Sequence, residues 1–387
     1  MGSEIEDKLL RVIARQTLSW DDAAWLEKNM REGIDWPVVI YKAFEEGLAS
    51  FLYLHCRNLG TLTNLPESSR KLLIRIYAET LLINRHMIKV LEELDEYVKR
   101  YEIQVIVLKG ASLINWVYED IGLRPMEDVD LMVRPENMYD IKRALERMGF
   151  SVDRLYPNTF RKGIISLDIH TDLLSSHRIR SRKRIMNLQY EDVWKRAVPI
   201  DNGSSIYRLS LYDNIIALSS HLLKHGFRRM IWFVDIKESI EKSGDEFNWS
   251  EMIQYSKRIQ AQRLLLYIML LSKQLMGMNV PDHILNDLGK NDLSLVEKYI
   301  LRLRLTDEPL GMITEILWLF QISKQSDKVQ FIMENIFPRK AIMRQIFPTT
   351  SYSRLKFLLR FIDIFSHAFR DFSSAFRIII GGRLPLL

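Results

Sequence analysis

Three short apolar runs stand out from a chain whose apolar and polar residues otherwise alternate at helical spacing. The first, over 103–108, is almost continuously apolar and stops at Lys109-Gly110. The second reads Met126-Glu127-Asp128-Val129-Asp130-Leu131-Met132-Val133, and the third Ile164-Ile165-Ser166-Leu167-Asp168-Ile169-His170. Each predicts a short buried strand. Strand side chains alternate between faces, so Asp128 and Asp130 share one face while Val129, Leu131 and Val133 turn to the core. Glu127, opposite to Asp128, is expected at the surface.

Both flanks follow the helical period. Over 70–100 the residues Leu73, Ile76, Leu81, Ile83, Ile88, Leu91, Leu94 and Val98 recur among charges. Ser19 offers a cap for the helix that follows, Trp36-Pro37 opens another running to about residue 54, and 64–68 is a break. Between the first two strands, 111–119 predicts a helix that starts directly after Gly110. Pro135 opens a helix to Met148, closed by Gly149. A strand over 150–155 and a hairpin turn at Lys162-Gly163 follow, and from Leu211 the pattern is helical to the end. The fold class is therefore α+β: a helical amino-terminal domain (1–100), a core with a mixed sheet (101–205) and a helical carboxy-terminal domain (206–387).

The carboxylates decide the chemistry. Asp128 and Asp130 on one strand face repel each other, and burial sharpens the repulsion, so a cation is expected between them. Asp168 adds a third acid from another strand. Three aspartates form a hard, all-oxygen site that suits Mg²⁺ or Mn²⁺. Lys109 and Gly110 at the end of one strand, and Arg124 ahead of the next, supply positive charge and a flexible turn beside it. That grouping suits a nucleoside triphosphate, whose phosphates take metal and cations together.

The order Leu108-Lys109-Gly110, then Arg124-Pro125-Met126-Glu127-Asp128-Val129-Asp130-Leu131, then Leu167-Asp168-Ile169-His170 resembles the polymerase-β-like nucleotidyltransferases. More narrowly, it resembles the family known as uncharacterised nucleotidyltransferases, most strongly over 101–240. The resemblance implies metal-dependent transfer of a nucleoside monophosphate from a triphosphate to an acceptor, with release of pyrophosphate. It implies a two-metal site in which Asp128, Asp130 and Asp168 are the catalytic and metal-binding residues, with Lys109, Gly110, Ser112 and Arg124 holding the triphosphate. Such enzymes usually carry Gly-Ser or Gly-Gly at the first turn, where this chain has Gly110-Ala111-Ser112, so Ser112 or backbone N–H groups take that role. The arrangement also looks like the toxin nucleotidyltransferases of abortive-infection systems. An RNA acceptor, a biosynthetic tailoring substrate and a non-catalytic nucleotide-binding regulator are the alternatives.

Composition narrows the acceptor little. Apolar residues make up 47 % of the 387 residues and charged residues 27 %, ordinary for a soluble, cytoplasmic protein, and the single Cys56 leaves no internal disulfide. No apolar run is long enough to span a bilayer. The net charge is +6, yet from Arg339 onward nine basic residues face only Asp363 and Asp371. The body is thus near neutral, which disfavours RNA, and a tail with Phe365, Phe369, Phe372 and Phe376 at helical steps reads either as core or as a docking surface for an anionic membrane or partner. The run His177-Arg178-Ile179-Arg180-Ser181-Arg182-Lys183-Arg184 is either a solvated loop or an electropositive rim for an anionic acceptor. His170 either makes a structural hydrogen bond or serves an acceptor, and His221 with His225 packs against or lines the cleft.

Overall fold

A computed structural model describes residues 4–30, 34–114, 116–174, 176, 179–305, 310 and 313–346. The basic tail from 347 onward lies outside the described residues, and so do His177 and Arg178. The architecture is α+β, with a mixed sheet between helical flanks. Ahead of the sheet run α1 (Glu4–Ile13), α2 (Trp20–Asn29), α3 (Trp36–Glu45), α4 (Ala49–Asn58) and the long α5 (Glu67–Arg100). Ser19 caps α2 by accepting from the Asp22 N–H. The helix expected from Trp36 to about 54 is two helices, because Gly47 takes φ +75° and turns the chain between α3 and α4.

Among the described residues the sheet has seven strands in the order β3-β4-β5-β2-β1-β7-β6. They are β1 (Val105–Leu108), β2 (Val129–Val133), β3 (Ser151–Val152), β4 (Thr159–Lys162), β5 (Ile165–His170), β6 (Val198–Pro199) and β7 (Ile206–Arg208). β1 runs antiparallel to β2, β2 parallel to β5, and β1 parallel to β7. The strand expected over 150–155 ends at Val152, since the Asp153 carboxylate accepts the N–H groups of Leu155 and Tyr156 and bends the chain away. The turn at Lys162-Gly163 joins β4 to β5 as expected, with Gly163 at φ +59°.

Both faces of the central strands are covered, which is why they read as continuous apolar runs. Val105, Val107, Val129, Leu131 and Val133 pack with Leu94 and Val98 of α5 and with Ile141 and Leu145 of α7 (Met138–Arg147). Ile106, Leu108 and Met132, on the other face, pack with Val193 and Trp194 of α8 (Tyr190–Arg196) and with Ala217 of α9 (Leu211–Lys224). Asp130 shares this second face by alternation, so the site opens toward the helices after the sheet.

Those helices are α9, α10 (Met230–Ser243), α11 (Trp249–Arg258), α12 (Gln262–Met276), α13 (Asp282–Asp287), α14 (Leu295–Leu305), α15 (Glu315–Gln321), α16 (Gln325–Ile336) and α17 (Lys340–Ile346). Residues 264–271 of α12 are buried all round, as in a central core helix. Helices from both sides of the sheet share this one core: Leu9, Ile13 and Phe51 pack with Phe233, Leu265 and Leu301. Among the described residues no helix is long and apolar enough to cross a membrane.

Candidate functional site

Register brings the acids together. Leu108 pairs with Asp130, and Asp130 pairs with Asp168 across the parallel β2–β5 ladder. His170, two residues beyond Asp168, emerges on the same face and lies with its Nε2 2.7 Å from Asp130 Oδ1. One ligand atom from each of Asp130, Asp168 and His170 falls within 4.8 Å of the others, in an arrangement fit for a metal ion. Asp128 lines the same cleft just before β2. The sequence grouped Asp128, Asp130 and Asp168; the structure adds His170, which the residue pattern marked without fixing its role.

The electrostatics are those of crowded acids short of positive charge. The Lys109 Nζ donates to Asp130 Oδ1 at 2.6 Å. Burial favours protonation of Asp130, but the Lys109 charge and His170 outweigh it and hold its carboxyl far below the usual range. Burial likewise disfavours the Lys109 ammonium, yet Asp130, Asp128 and Asp168 overrule it and raise the lysine's pKa. Asp128 receives less help: burial, then the Asp130 charge, push it up to about 6 against the pull of Lys109. Asp168 Oδ1 is buried and, among the described residues, has no hydrogen-bond partner. An orphaned carboxylate oxygen beside other aspartates is what a cation-binding site presents without its ion, and the donor set fits Mg²⁺ or Mn²⁺, the imidazole adding weight to Mn²⁺.

The turn after β1 is built differently from the sequence expectation. Lys109 takes φ +53°, a conformation that a lysine rarely adopts, and α6 (Lys109–Leu113) ends after little more than a turn. The helix expected over 111–119 stops because the chain must bring Tyr118 inward, where its hydroxyl donates to Asp235 Oδ1 at 2.6 Å. The Ser112 hydroxyl donates to the Lys109 carbonyl at 2.8 Å, securing the strained turn, and Ser112 is not among the described residues lining the cleft. Arg124 lines the cleft, but its guanidinium is engaged: Nη2 and Nε reach Asp235 at 2.8 and 3.3 Å, and Nη1 donates to the Pro125 carbonyl at 2.8 Å. Gly110 has its reason here, because a Cβ on it would stand 2.3 Å from Arg124 Nη1.

The cleft encloses about 700 Å³. Its acidic wall is the β2–β5 part of the sheet with Asp128, Asp130 and Asp168; facing it are His221 and Lys224 of α9, His225 at its C-cap, Arg228 and Arg229 of the connecting loop, and Trp232 of α10. Phe44, Glu45 and Glu46 at the end of α3 close one side. Glu127 projects to solvent and accepts from Arg229 at 2.8 Å. The sequence reading gave no role to Lys224, Arg228 or Arg229, although all three fall within the 101–240 stretch where the family resemblance is strongest. The signal was the cations spaced between the two histidines and Trp232. In its described part the basic run at 177–184 is divided: Arg180 and Lys183 are exposed, and the rest is tied down. Arg182 pairs with Glu315 and lies over Trp318, Arg184 pairs with Asp327, and Ser181 donates to Glu334, so it clamps the later helices in place. Cys56 is buried and its thiol is pushed up to about 12 by burial, as befits a core residue.

A mixed sheet with converging aspartates, set between helical flanks, is consistent with a nucleotidyltransferase core. The sequence model of the family described as uncharacterised nucleotidyltransferase matches residues 32–277, and the chain belongs to that family. The matched segment takes in every residue named above as lining the cleft, from Phe44 to Trp232. No curated protein and no solved structure matches the chain.

Proposed function

We propose that the protein transfers a nucleoside monophosphate from a nucleoside triphosphate to an acceptor hydroxyl or phosphate. An acceptor oxygen bonds to the α-phosphorus, the bond to the bridging oxygen of the β-phosphate breaks, and pyrophosphate leaves. The observation that carries this reading is the orphaned Asp168 oxygen beside Asp130, with Asp128 unable to ionise easily. Asp130, Asp168 and His170, with Asp128 beside them, would hold a divalent ion. Bound there, Mg²⁺ or Mn²⁺ supplies charge neutralisation of the phosphates and lowers the acceptor's pKa. The protein's own residues do the rest. Lys109 keeps Asp130 ionised. Arg124 acts as a positioning residue, fixing the Gly110 turn by way of Asp235. Lys224, Arg228 and Arg229 face the acids and receive the outer phosphates.

The test is incubation with each α-labelled triphosphate and Mg²⁺ or Mn²⁺, with and without total RNA, alongside equilibrium binding of the same nucleotides. Expected are nucleotide binding that requires the metal, transfer of the α-label and release of pyrophosphate. If none of the four triphosphates binds, or if Asp130→Asn transfers label as fast as the wild type, the reading is wrong. Label appearing only when RNA is present would make RNA the acceptor.

A further inference from the structure

On the wall opposite the acids the cations meet phosphate, and the rings among them are left without a task. His221 in the last turn of α9 and His225 at its C-cap lie four residues apart, and Trp232 reaches them from α10. The ring centroids of His221 stand 4.5 Å from those of both His225 and Trp232, and His225 to Trp232 is 5.4 Å. All three are half-buried and face the cleft. Burial, then the Lys109 charge, keeps His221 neutral, and burial with Lys224 lowers His225 to about 3. Neutral imidazoles bring no charge to a phosphate; each offers a flat, polarisable ring. Beneath this surface His221 Nδ1 is buried and, among the described residues, makes no hydrogen bond. The pair does not make a metal site, since no third ligand joins it among the described residues.

We propose that the His221–His225–Trp232 face seats the nucleobase of the triphosphate, a proposal that rests on the nucleotidyl-transfer reading of the same cleft. A planar heteroaromatic ring stacks against Trp232 and meets His225, whose plane is inclined to the indole by 54°, along its edge, with His221 supporting both rings. Lys224, Arg228 and Arg229, interleaved with these rings, direct the phosphates away from the shelf toward Asp128, Asp130 and Asp168. One ligand thus spans both walls: its charged end lies where metal and cations meet, and its flat end where the charges give way to rings. A phosphorylated ligand lacking a ring would use only half of this wall.

The experiment is calorimetric titration of the full chain, with Ca²⁺ present to suppress turnover, using ATP, GTP, CTP, UTP and inorganic tripolyphosphate. In the wild type at least one nucleotide is expected to bind at least tenfold more tightly than tripolyphosphate, the scale of a base–aromatic stack. Trp232→Leu and His225→Ala each remove most of that advantage while tripolyphosphate affinity stays within twofold, and Trp232→Phe keeps the greater part of it. Circular dichroism confirms folding, and His225→Ala carries the test by itself if Trp232→Leu does not fold. Nucleotide and tripolyphosphate binding equally well, or an advantage unchanged in His225→Ala, overturns the shelf and leaves nucleotidyl transfer standing. A wild type that binds neither ligand overturns both.

Discussion

Replacing Arg124 by methionine separates two roles for this residue. If the guanidinium holds Asp235, as the geometry has it, its loss strands a carboxylate that is 0 % exposed. Among the described residues the stranded carboxylate keeps the Tyr118 hydroxyl as its side-chain partner. Removing one partner of a buried ion pair costs about 3–5 kcal/mol, a large part of the roughly 5–15 kcal/mol by which domains are stable. Asp235→Leu strands the arginine and costs a similar amount. The double variant Arg124→Met/Asp235→Leu removes both charges, leaving chiefly the Tyr118 hydroxyl without its acceptor, a penalty of about 1–3 kcal/mol. The expected signature is therefore strong coupling: the double variant is more stable than either single one. Urea unfolding followed by both fluorescence and circular dichroism measures this, provided the transitions coincide. Were Arg124 a triphosphate ligand, Arg124→Met would raise the KM for nucleotide and leave stability almost unchanged. A loss below about 1 kcal/mol, or a double variant as unstable as the sum of the singles, refutes the positioning role.

Other outcomes follow from the same contacts. Gly110→Ala places a methyl group against a guanidinium that Asp235 pins, so it should cost about 1–3 kcal/mol in the wild type. In the Arg124→Met background the cost should largely vanish; an equal cost in both denies the contact. Asp128, held at about 6 against an ordinary 3.8, takes up its proton more readily in the fold than in the unfolded chain. Its penalty is therefore absent below pH 4 and complete above pH 6. Without metal, Asp128→Asn should be more stable than the wild type at pH 8 by on the order of 2 kcal/mol, with no gain at pH 4. Urea midpoints at the two pH values check this, and a variant less stable at pH 8 contradicts it. Arg182→Ala removes the ion pair to Glu315 and the contact with Trp318. It should loosen the α15 region, seen as faster amide exchange there, and leave nucleotide affinity unchanged; weakened nucleotide binding would restore the rim reading.

The site was legible in the sequence to the extent that strand alternation determines it. Asp128, Asp130 and Asp168 are carboxylates where apolar residues belong, and the period of two places their faces without a structure. What alternation does not carry is the register between strands. The pairing of Met132 with His170 sets the imidazole beside Asp130, and it depends on which strands are neighbours and in which direction they run. Arg124 and Gly110 carried the expected residue types at the expected places, but what each meets lies elsewhere in the chain, whereas Ser112 is taken up by the Lys109 carbonyl of its own turn. Asp235 lies 111 residues from Arg124 and reaches it only because α10 packs on the turn. The helix over 111–119 had an acceptable helical pattern, and the pull of Tyr118 into the core overrode it. The short β6 and β7 gave no usable period, being two and three residues long.

The central claim is that these carboxylates hold a divalent ion, and titration with Mn²⁺ followed by electron paramagnetic resonance tests it most directly. Free Mn²⁺ is read from its six-line signal, and no acceptor has to be known. The account predicts saturable binding to the wild type at pH 7.5, weakened at least tenfold in Asp130→Asn and in Asp168→Asn, and weakened in the wild type as the pH falls below 6 and Asp128 takes up its proton. Mn²⁺ binding undiminished in both variants, or absent from the folded wild type with and without nucleotide, would contradict it.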